Sequence, residues 1–141
     1  MIISLLIFLL NFSGIYLPAE AELKIEIQGV QNAKGNLGIL LFNRKEGFPS
    51  DHTKALKQIT VAARKGTNIV VFDHLAPGTY AVAVMHDENT NLKLDTNWVG
   101  MPTEGYGFSG NKMGLMGPPS FSDAAVSIGD AAAGMIINMR Y

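Results

Sequence analysis

Short oxygen-bearing side chains recur at alternate positions in one stretch of the chain, residues 87–95. Hard cations such as Ca²⁺ take carboxylate, amide and carbonyl oxygens as ligands, and calcium loops supply them from alternate residues. Counted from the first acid of this stretch, positions 1, 3, 5, 7 and 9 are Asp87, Asn89, Asn91, Lys93 and Asp95. The spacing predicts a calcium site in which four side chains and the Lys93 carbonyl are the ligands.

Two positions depart from the calcium-loop pattern. Position 6, where such loops have glycine for a sharp turn, is Leu92, and position 12, where they have a bidentate glutamate, is Trp98. A more distant carboxylate would have to complete the ligand set, and the candidates are Glu88, Glu104 and Asp123. We therefore expect weak binding, on the order of 10⁻⁴ to 10⁻³ M, as in extracellular modules. The alternative is that Asp and Asn only build Asx turns in a connection between strands.

A second candidate site follows the acidic loop, in a stretch rich in Gly, Pro and aromatic residues that extends to Ala124. Long connections without regular structure are uncommon in compact domains and are often functional. Aromatic side chains can stack on sugar rings or receive a peptide. The predicted ligand-binding residues are Trp98, Glu104, Tyr106, Phe108 and Phe121. The alternative is that the aromatic rings cap the open end of the domain as additional core.

No catalytic residue is predicted. His86 and Asp87 are neighbours in a predicted strand, where consecutive side chains point to opposite faces, so they do not form a pair by default. His52 and His74 belong to separate loops, and their spacing is not that of a metal site. The serines lack the Gly-x-Ser-x-Gly arrangement of a nucleophile elbow.

The rest of the chain alternates between apolar and polar residues with period two, which predicts antiparallel strands. The predicted strands are 23–27, 37–42, 57–63, 68–72, 80–85, 124–128 and 133–141. The run 37–42 is apolar on both faces and predicts a central strand. The strand 80–85 has small residues on one face, which indicates close packing across that face. We predict an all-β fold, an antiparallel seven- to eight-stranded Ig-like or transthyretin-like sandwich with one long Gly/aromatic loop.

The first residues determine the predicted compartment. Residues 1–17 are almost wholly apolar, Pro18 follows, and Ala19 and Ala21 are small residues at the two positions that signal peptidase reads. We predict a signal peptide over 1–21, a single domain over 22–141, and export to the periplasm or the medium. The apolar core is short for a membrane span, so none is expected after cleavage. The chain has no Cys, which suits an exported bacterial protein without disulfides.

The predicted mature chain has no net charge. The whole sequence has 11 Lys and Arg against 12 Asp and Glu. The leader contributes one acid, Glu20, and no base, which leaves 11 of each sign. A neutral chain gives no electrostatic reason to expect nucleic acid as a partner.

Three motifs resemble one known family. They are Val84-Met85-His86-Asp87-Glu88-Asn89, Gly100-x-Pro102-x-Glu104-Gly105-Tyr106-Gly107-Phe108-Ser109 and Pro118-Pro119-x-Phe121-x-Asp123-Ala124. In this order, with Asp95 between the first two, they resemble the bacterial domain-of-unknown-function family 2141 over essentially the whole mature chain. The strand that follows Pro77-Gly78 also resembles the transthyretin-like and carboxypeptidase-regulatory group of sandwiches. The resemblance implies an exported β-sandwich domain and implies no reaction.

Three functions of different classes remain open. The first is a non-catalytic exported module whose Ca²⁺-stabilised loop lies beside a face that binds an extracytoplasmic protein or glycan. The second is a small hydrolase that uses Asp87, Glu88 and Glu104 on an envelope glycan, which requires two carboxylates about 5 to 10 Å apart across a cleft. The third is a structural or assembly role through a sheet edge, which requires an uncovered and uncharged edge strand.

Overall fold

A computed structural model describes residues 14, 15, 17 and 20–141 of the chain. Most of the predicted signal peptide lies outside the described residues, because 1–13, 16, 18 and 19 are not among them. Ala21, the predicted last residue of that peptide, is buried and begins the first strand. Within the described residues, no helix is both long enough and apolar enough to cross a membrane.

Strands of the described chain form two sheets, so the fold is an all-β sandwich, as the alternating pattern predicts. The strands are β1 (Ala21–Val30), β2 (Asn36–Phe42), β3 (Lys57–Ala62), β4 (Gly66–Leu75), β5 (Gly78–Asp87), β6 (Tyr106–Phe108), β7 (Val126–Ile128) and β8 (Ala133–Asn138). One sheet has the order β4-β1-β8, and the other has the order β3-β2-β5-β6, with β7 also paired to β5. Neighbouring strands are antiparallel except β1 and β8, which are parallel.

The main core lies between the sheets and collects their inward-facing residues. In β1, Leu23, Ile25 and Ile27 are fully buried and alternate with exposed or half-buried residues, because successive side chains of a strand point to opposite faces. The predicted central strand is confirmed: β2 pairs with β3 on one edge and with β5 on the other. Tyr80 of β5 is also buried in this core, and its hydroxyl donates to the Ala76 carbonyl at 2.5 Å.

A second apolar layer covers the outer face of the five-stranded sheet. Ala81 and Ala83 of β5 are buried there, which agrees with the close packing that their small size indicates. Phe42 is paired with Ala81 and Phe108 with Ala83, so both rings lie on this face. The ring of Phe48 makes edge-to-face pairs with the other rings, at centroid distances of 5.4 to 6.2 Å. We call this group the aromatic cluster, and its members are Phe42, Phe48, Phe108 and Phe121.

The connection from β5 to β7 is more regular than the sequence pattern predicts. The pattern predicts one long irregular loop, whereas the structure has β6, a short 3-10 turn (Ser109–Asn111) and the helix α1 (Phe121–Ala124) within it. The strand predicted over 124–128 is correspondingly shorter, and β7 begins at Val126. Ser120 caps α1 by accepting a hydrogen bond from Asp123 N at 3.2 Å, and this local bond favours a helical turn over a strand.

Candidate functional site

The acidic loop, residues 87–95, begins where β5 ends. Its first residue, Asp87, is only 2% exposed, although the loop beyond it reaches the surface. The turn between β1 and β2 packs against this point. A Cβ atom on Gly35 would lie 2.0 Å from the Asp87 carbonyl oxygen, so only glycine fits there. Sequence reasoning missed Gly35, because a glycine in a turn gives no signal of the distant segment that it touches.

The Asp87 carboxylate organises the turn of the loop. Its Oδ1 accepts a hydrogen bond from Asn91 N at 3.1 Å, and its Oδ2 accepts one from Leu92 N at 2.8 Å. Leu92 has a φ of 64°, a left-handed conformation of the kind that the position-6 glycine of a calcium loop makes possible. Leu92, which stands where the calcium-loop pattern has glycine, therefore still forms a sharp turn. Its side chain makes this conformation sterically unfavourable by about 1 to 2 kcal/mol.

Three oxygen-bearing side chains meet inside the loop. The Asn89 amide donates to Asp95 Oδ2 at 2.5 Å, and the Asn91 amide donates to both Asp95 oxygens at 2.9 and 3.1 Å. The oxygens of Asn89 and Asn91 each accept the N–H two residues further on, so Asx turns are also present. Lys93 takes part through its N–H, which donates to Asn91 Oδ1 at 2.9 Å. All five predicted ligand residues thus belong to one hydrogen-bonded loop.

Glu104 holds the two ends of the acidic loop together. It is 5% exposed, its Oε1 accepts from Glu88 N at 2.9 Å, and its Oε2 accepts from Asp95 N at 3.0 Å. Of the three carboxylates that could complete the ligand set, only Glu104 contacts the loop interior in this way. The Glu88 carboxylate accepts from the Asn32 amide at 3.2 Å, and Asp123 belongs to the start of α1.

Hydrogen bonds account for the buried polar groups of this region. Asp87 and Glu104 each accept two backbone N–H groups, whose dipoles stabilise a buried carboxylate. Among the residues that the structure describes, no buried side-chain nitrogen or oxygen lacks a partner. In the same residues there is no group of three or more His, Cys, Asp or Glu side chains placed to hold a metal ion. Any cation in the loop would therefore need amide and carbonyl oxygens in addition to the carboxylates of Asp87 and Asp95.

Residues 96–102 project beyond the acidic loop as a small hairpin, which we call the Trp98 spur. Asn97 organises it: its side-chain oxygen accepts from Val99 N and from Met101 N, each at 3.0 Å. Thr96 and Pro102 form a β-bridge at its base. Trp98 is 96% exposed at its tip, and Val99 and Met101 are also exposed. The spur therefore presents apolar side chains to solvent on a hydrogen-bonded backbone.

The five predicted ligand-binding residues do not form one face. Phe108 is buried and Phe121 half-buried, and both belong to the aromatic cluster, which covers the outer face of a sheet rather than the open end of the domain. Tyr106 is half-buried, with its ring centroid 5.9 Å from that of Phe108. Glu104 lies beneath the acidic loop, and only Trp98 is fully available to a ligand.

The acidic loop, the Trp98 spur and the aromatic cluster include residues of all three sequence motifs. A family model described as "Uncharacterized protein conserved in bacteria (DUF2141)" matches residues 25–135, which is most of the chain. The chain belongs to this family. The identification made from the motifs is therefore confirmed. No curated protein matches the chain, and no solved structure matches it either.

The Gly-Tyr-Gly segment of this DUF2141 domain has a steric explanation. A Cβ atom on Gly105 would lie 2.4 Å from Cζ of Tyr141, and one on Gly107 would lie 2.8 Å from Cγ2 of Ile137. Both glycines therefore allow β8 and the residues after it to pack directly on β6. The sequence shows the glycines but not these partners, which lie about thirty residues further along the chain.

His86 has a structural role beneath the acidic loop. It is fully buried, and its Nε2 lies 2.7 Å from the Lys34 carbonyl, to which it must donate because a carbonyl only accepts. In the neutral ring, Nδ1 then accepts from the Tyr141 hydroxyl at 2.6 Å. Partial burial raises the pKa of the Tyr141 hydroxyl above its ordinary value. His86 and Asp87 thus have separate partners, as expected for neighbours in a strand.

Proposed function

We propose that this DUF2141 domain is a non-catalytic exported module, periplasmic or secreted, that binds a glycan or protein through the Trp98 spur. In this proposal, Ca²⁺ stabilises the acidic loop from which the spur projects. One observation carries the calcium part: Leu92 adopts a left-handed conformation while Asp87 binds the N–H groups of positions 5 and 6. A bulky residue keeps that conformation only where its surroundings impose it.

The distances within the loop support a small hard cation as its ligand. Oxygens that bind one calcium ion at about 2.4 Å lie about 3 Å from one another. The contacts that join Asn89, Asn91 and Asp95 place the two amide nitrogens 2.5 to 3.1 Å from the carboxylate oxygens. Turning each amide group over would put its oxygen at a comparable distance, from which it could share an ion with Asp95. Asp87 and Asp95 would supply two negative charges. With so few carboxylates, we expect a dissociation constant on the order of 10⁻⁴ to 10⁻³ M.

Exposure of Trp98 supports the binding role of the spur. A tryptophan loses little conformational entropy on binding and offers a large flat surface to a sugar ring or a peptide. Tryptophan is highly buried on average, and a group of exposed apolar residues such as Trp98, Val99 and Met101 often marks an interaction site. Here the backbone around Asn97 is already ordered by hydrogen bonds, which lowers the entropic cost of binding.

The hydrolase alternative has less support. Asp87 and Glu104 are buried, and each uses its carboxylate to accept two backbone N–H groups. A catalytic acid or base must instead reach the substrate with a free oxygen. Two concave regions of the described surface lie elsewhere, one between β3 and β4 and one beside β1 and β8. The acidic loop is thus folded on itself rather than open along a cleft.

The test of calcium binding is a titration of residues 20–141 by calorimetry and by thermal melting. At ten times the dissociation constant, Ca²⁺ is expected to stabilise the fold by about 1.4 kcal/mol. That corresponds to a rise in Tm of about 5 °C for a domain of this size. Mg²⁺ is expected to have a much smaller effect, because it requires a tighter octahedral site.

Asp95→Asn is the variant of choice, because it removes a charge from the ligand set and keeps the shape of the side chain. Asp51→Asn is its control, since Asp51 also accepts from local groups, Thr53 N and Oγ1, in a turn outside the acidic loop. The calcium response should disappear in Asp95→Asn and persist in Asp51→Asn. Absence of heat and of a melting shift in the unaltered protein at 10 mM Ca²⁺, about ten times the weakest expected constant, would refute the calcium site.

The binding role of the spur can be tested by fluorescence, because Trp98 is the single tryptophan of the chain. Its emission should be that of a water-exposed indole. Soluble peptidoglycan fragments and envelope polysaccharides are the first probes, added with and without Ca²⁺. A saturable blue shift would support a ligand that stacks on Trp98. Binding of such a probe with equal affinity by Trp98→Ala, measured by calorimetry, would show that the spur is not the binding surface.

A further inference from the structure

The edges of the two sheets are protected unequally. An uncovered edge strand presents unpaired N–H and C=O groups, and proteins usually protect it with charges, bulges, proline or a covering segment. At the β6 and β8 edges this protection is present. Arg140 pairs with Tyr106 through two backbone hydrogen bonds of 2.8 and 2.9 Å. The Asn111 side chain binds the backbone of β8, donating to Ile136 O at 2.9 Å and accepting from Asn138 N at 2.8 Å.

At the opposite ends of the sheets, β4 is protected, whereas β3 has a protecting charge only at its first residue, Lys57. The pairing of β4 with β1 contains two register shifts, and Lys57 Nζ donates to the Asp73 carbonyl of β4 at 2.6 Å. In contrast, β3 pairs with β2 in unbroken register, and among residues 20–141 it has no strand on its other edge. From Gln58 to Ala62 it contains no charged residue, no proline and no bulge.

Apolar side chains beside this edge are also incompletely covered. A concave region between β3 and β4 is lined by Leu56, Ile59 and Val71, among others. Leu56 and Val71 are 45% and 44% exposed, and Ile59 is half-buried. An additional strand on the β3 edge would pair the free backbone groups and cover part of this apolar surface.

We propose that the β3 edge binds the β3 edge of a second copy of this chain, antiparallel about a two-fold axis at Thr60. The register follows from the sequence of the strand. It places Thr60 opposite the Thr60 of the other copy, on the exposed face. On each side of the axis it places Ile59 opposite Val61, on the face that packs against the core. Thr–Thr and β-branched pairs are favourable across strands, and no like charges oppose one another. Such a contact is self-complementary and closed, as stable dimers require.

Sedimentation of residues 20–141, a range that contains every strand of both sheets, tests the proposal. We expect a monomer–dimer equilibrium within a concentration series that reaches about 1 mM. Thr60→Lys places two ammonium groups opposite each other and should raise the dissociation constant at least about tenfold. Thr79→Lys is the matched control, an exposed threonine of the same sheet on the interior strand β5, and should leave the dimer unchanged.

A cysteine at the axis tests the register, because the chain has no Cys of its own. Mild oxidation of Thr60→Cys should yield a covalent dimer, and Thr79→Cys should yield little. If the wild-type protein remains monomeric throughout the concentration series, the proposal is overturned. The β3 edge would then be free to pair with a strand of another protein. A dimer that Thr60→Lys does not weaken, while Thr60→Cys fails to cross-link, overturns it as well. Circular dichroism of each variant verifies that the fold is retained.

Discussion

The chain between β5 and β7 is stabilised in two different ways along its length. In residues 88–105, the buried Glu104 carboxylate and several asparagine side-chain oxygens accept backbone N–H groups, and the large apolar side chain of Trp98 is exposed. In residues 106–124, Phe108 is buried on the outer face of a sheet, and its ring and that of Phe121 both pack on Phe48. The first half thus has polar groups inside and an apolar group outside, and the second half has the usual arrangement.

This difference shows what each half can do. Apolar packing is non-directional, but an aromatic ring that is buried in it is no longer available to a partner. Hydrogen bonds from backbone N–H groups to fixed carboxylates order a loop without burying its aromatic residue, which stays available for a partner. We therefore expect substitutions in the second half to act on global stability, and those in the first half to act on the loop and on binding.

The largest effect is expected from Phe108→Ala. The ring is buried between β5 and Phe48, so its removal should lower the free energy of unfolding by about 3 to 5 kcal/mol. Chemical denaturation followed by circular dichroism measures this change. A loss below about 1 kcal/mol would mean that the aromatic cluster is not part of the cooperative core, and the contrast between the two halves would fail.

Glu104→Ala should have the next largest effect. It leaves the N–H groups of Glu88 and Asp95 without their acceptor, which should cost about 2 to 3 kcal/mol. Hydrogen exchange should show lost protection in the acidic loop and retained protection in β1 and β2. Glu46→Ala, at an exposed loop position, is the control and should change stability by less than about 0.5 kcal/mol. Equal effects of the two variants would contradict the role assigned to Glu104.

A stabilising change is expected from Leu92→Gly. The substitution relieves the left-handed conformation, at some cost in chain entropy, and Leu92 is 80% exposed, so little packing is lost. The net gain should be up to about 1 kcal/mol, with tighter Ca²⁺ binding if the loop is a calcium site. Lys93→Gly, at an exposed neighbour without positive φ, should instead destabilise. Destabilisation by both variants would show that Leu92 is not strained.

The sequence predicts the sandwich well because period-two alternation directly reflects which face of a strand is buried. It also predicts that the polar side chains of the acidic loop lie together, because local spacing brings Asp87 and Asn91 into contact. It does not predict what depends on distant segments: Gly35 against Asp87, Tyr141 against Gly105, or Phe48 among the other rings. The same limitation applies to Trp98 and Phe108, two aromatic residues in similar glycine-rich surroundings. Only the tertiary contacts distinguish the exposed ring from the buried one.

The smallest effect on stability is expected from Trp98→Ala. If Trp98 closed the end of the sandwich, its truncation to alanine would lower the free energy of unfolding by about 3 to 5 kcal/mol. Because the ring is 96% exposed and the spur is held through Asn97, we expect a change below about 0.5 kcal/mol in unfolding. Asn97→Ala should disorder the spur more than Trp98→Ala does, as seen by hydrogen exchange of Val99 and Met101. If Trp98→Ala instead destabilises the domain as much as Phe108→Ala, the ring packs on the fold in solution and cannot serve as a free binding surface.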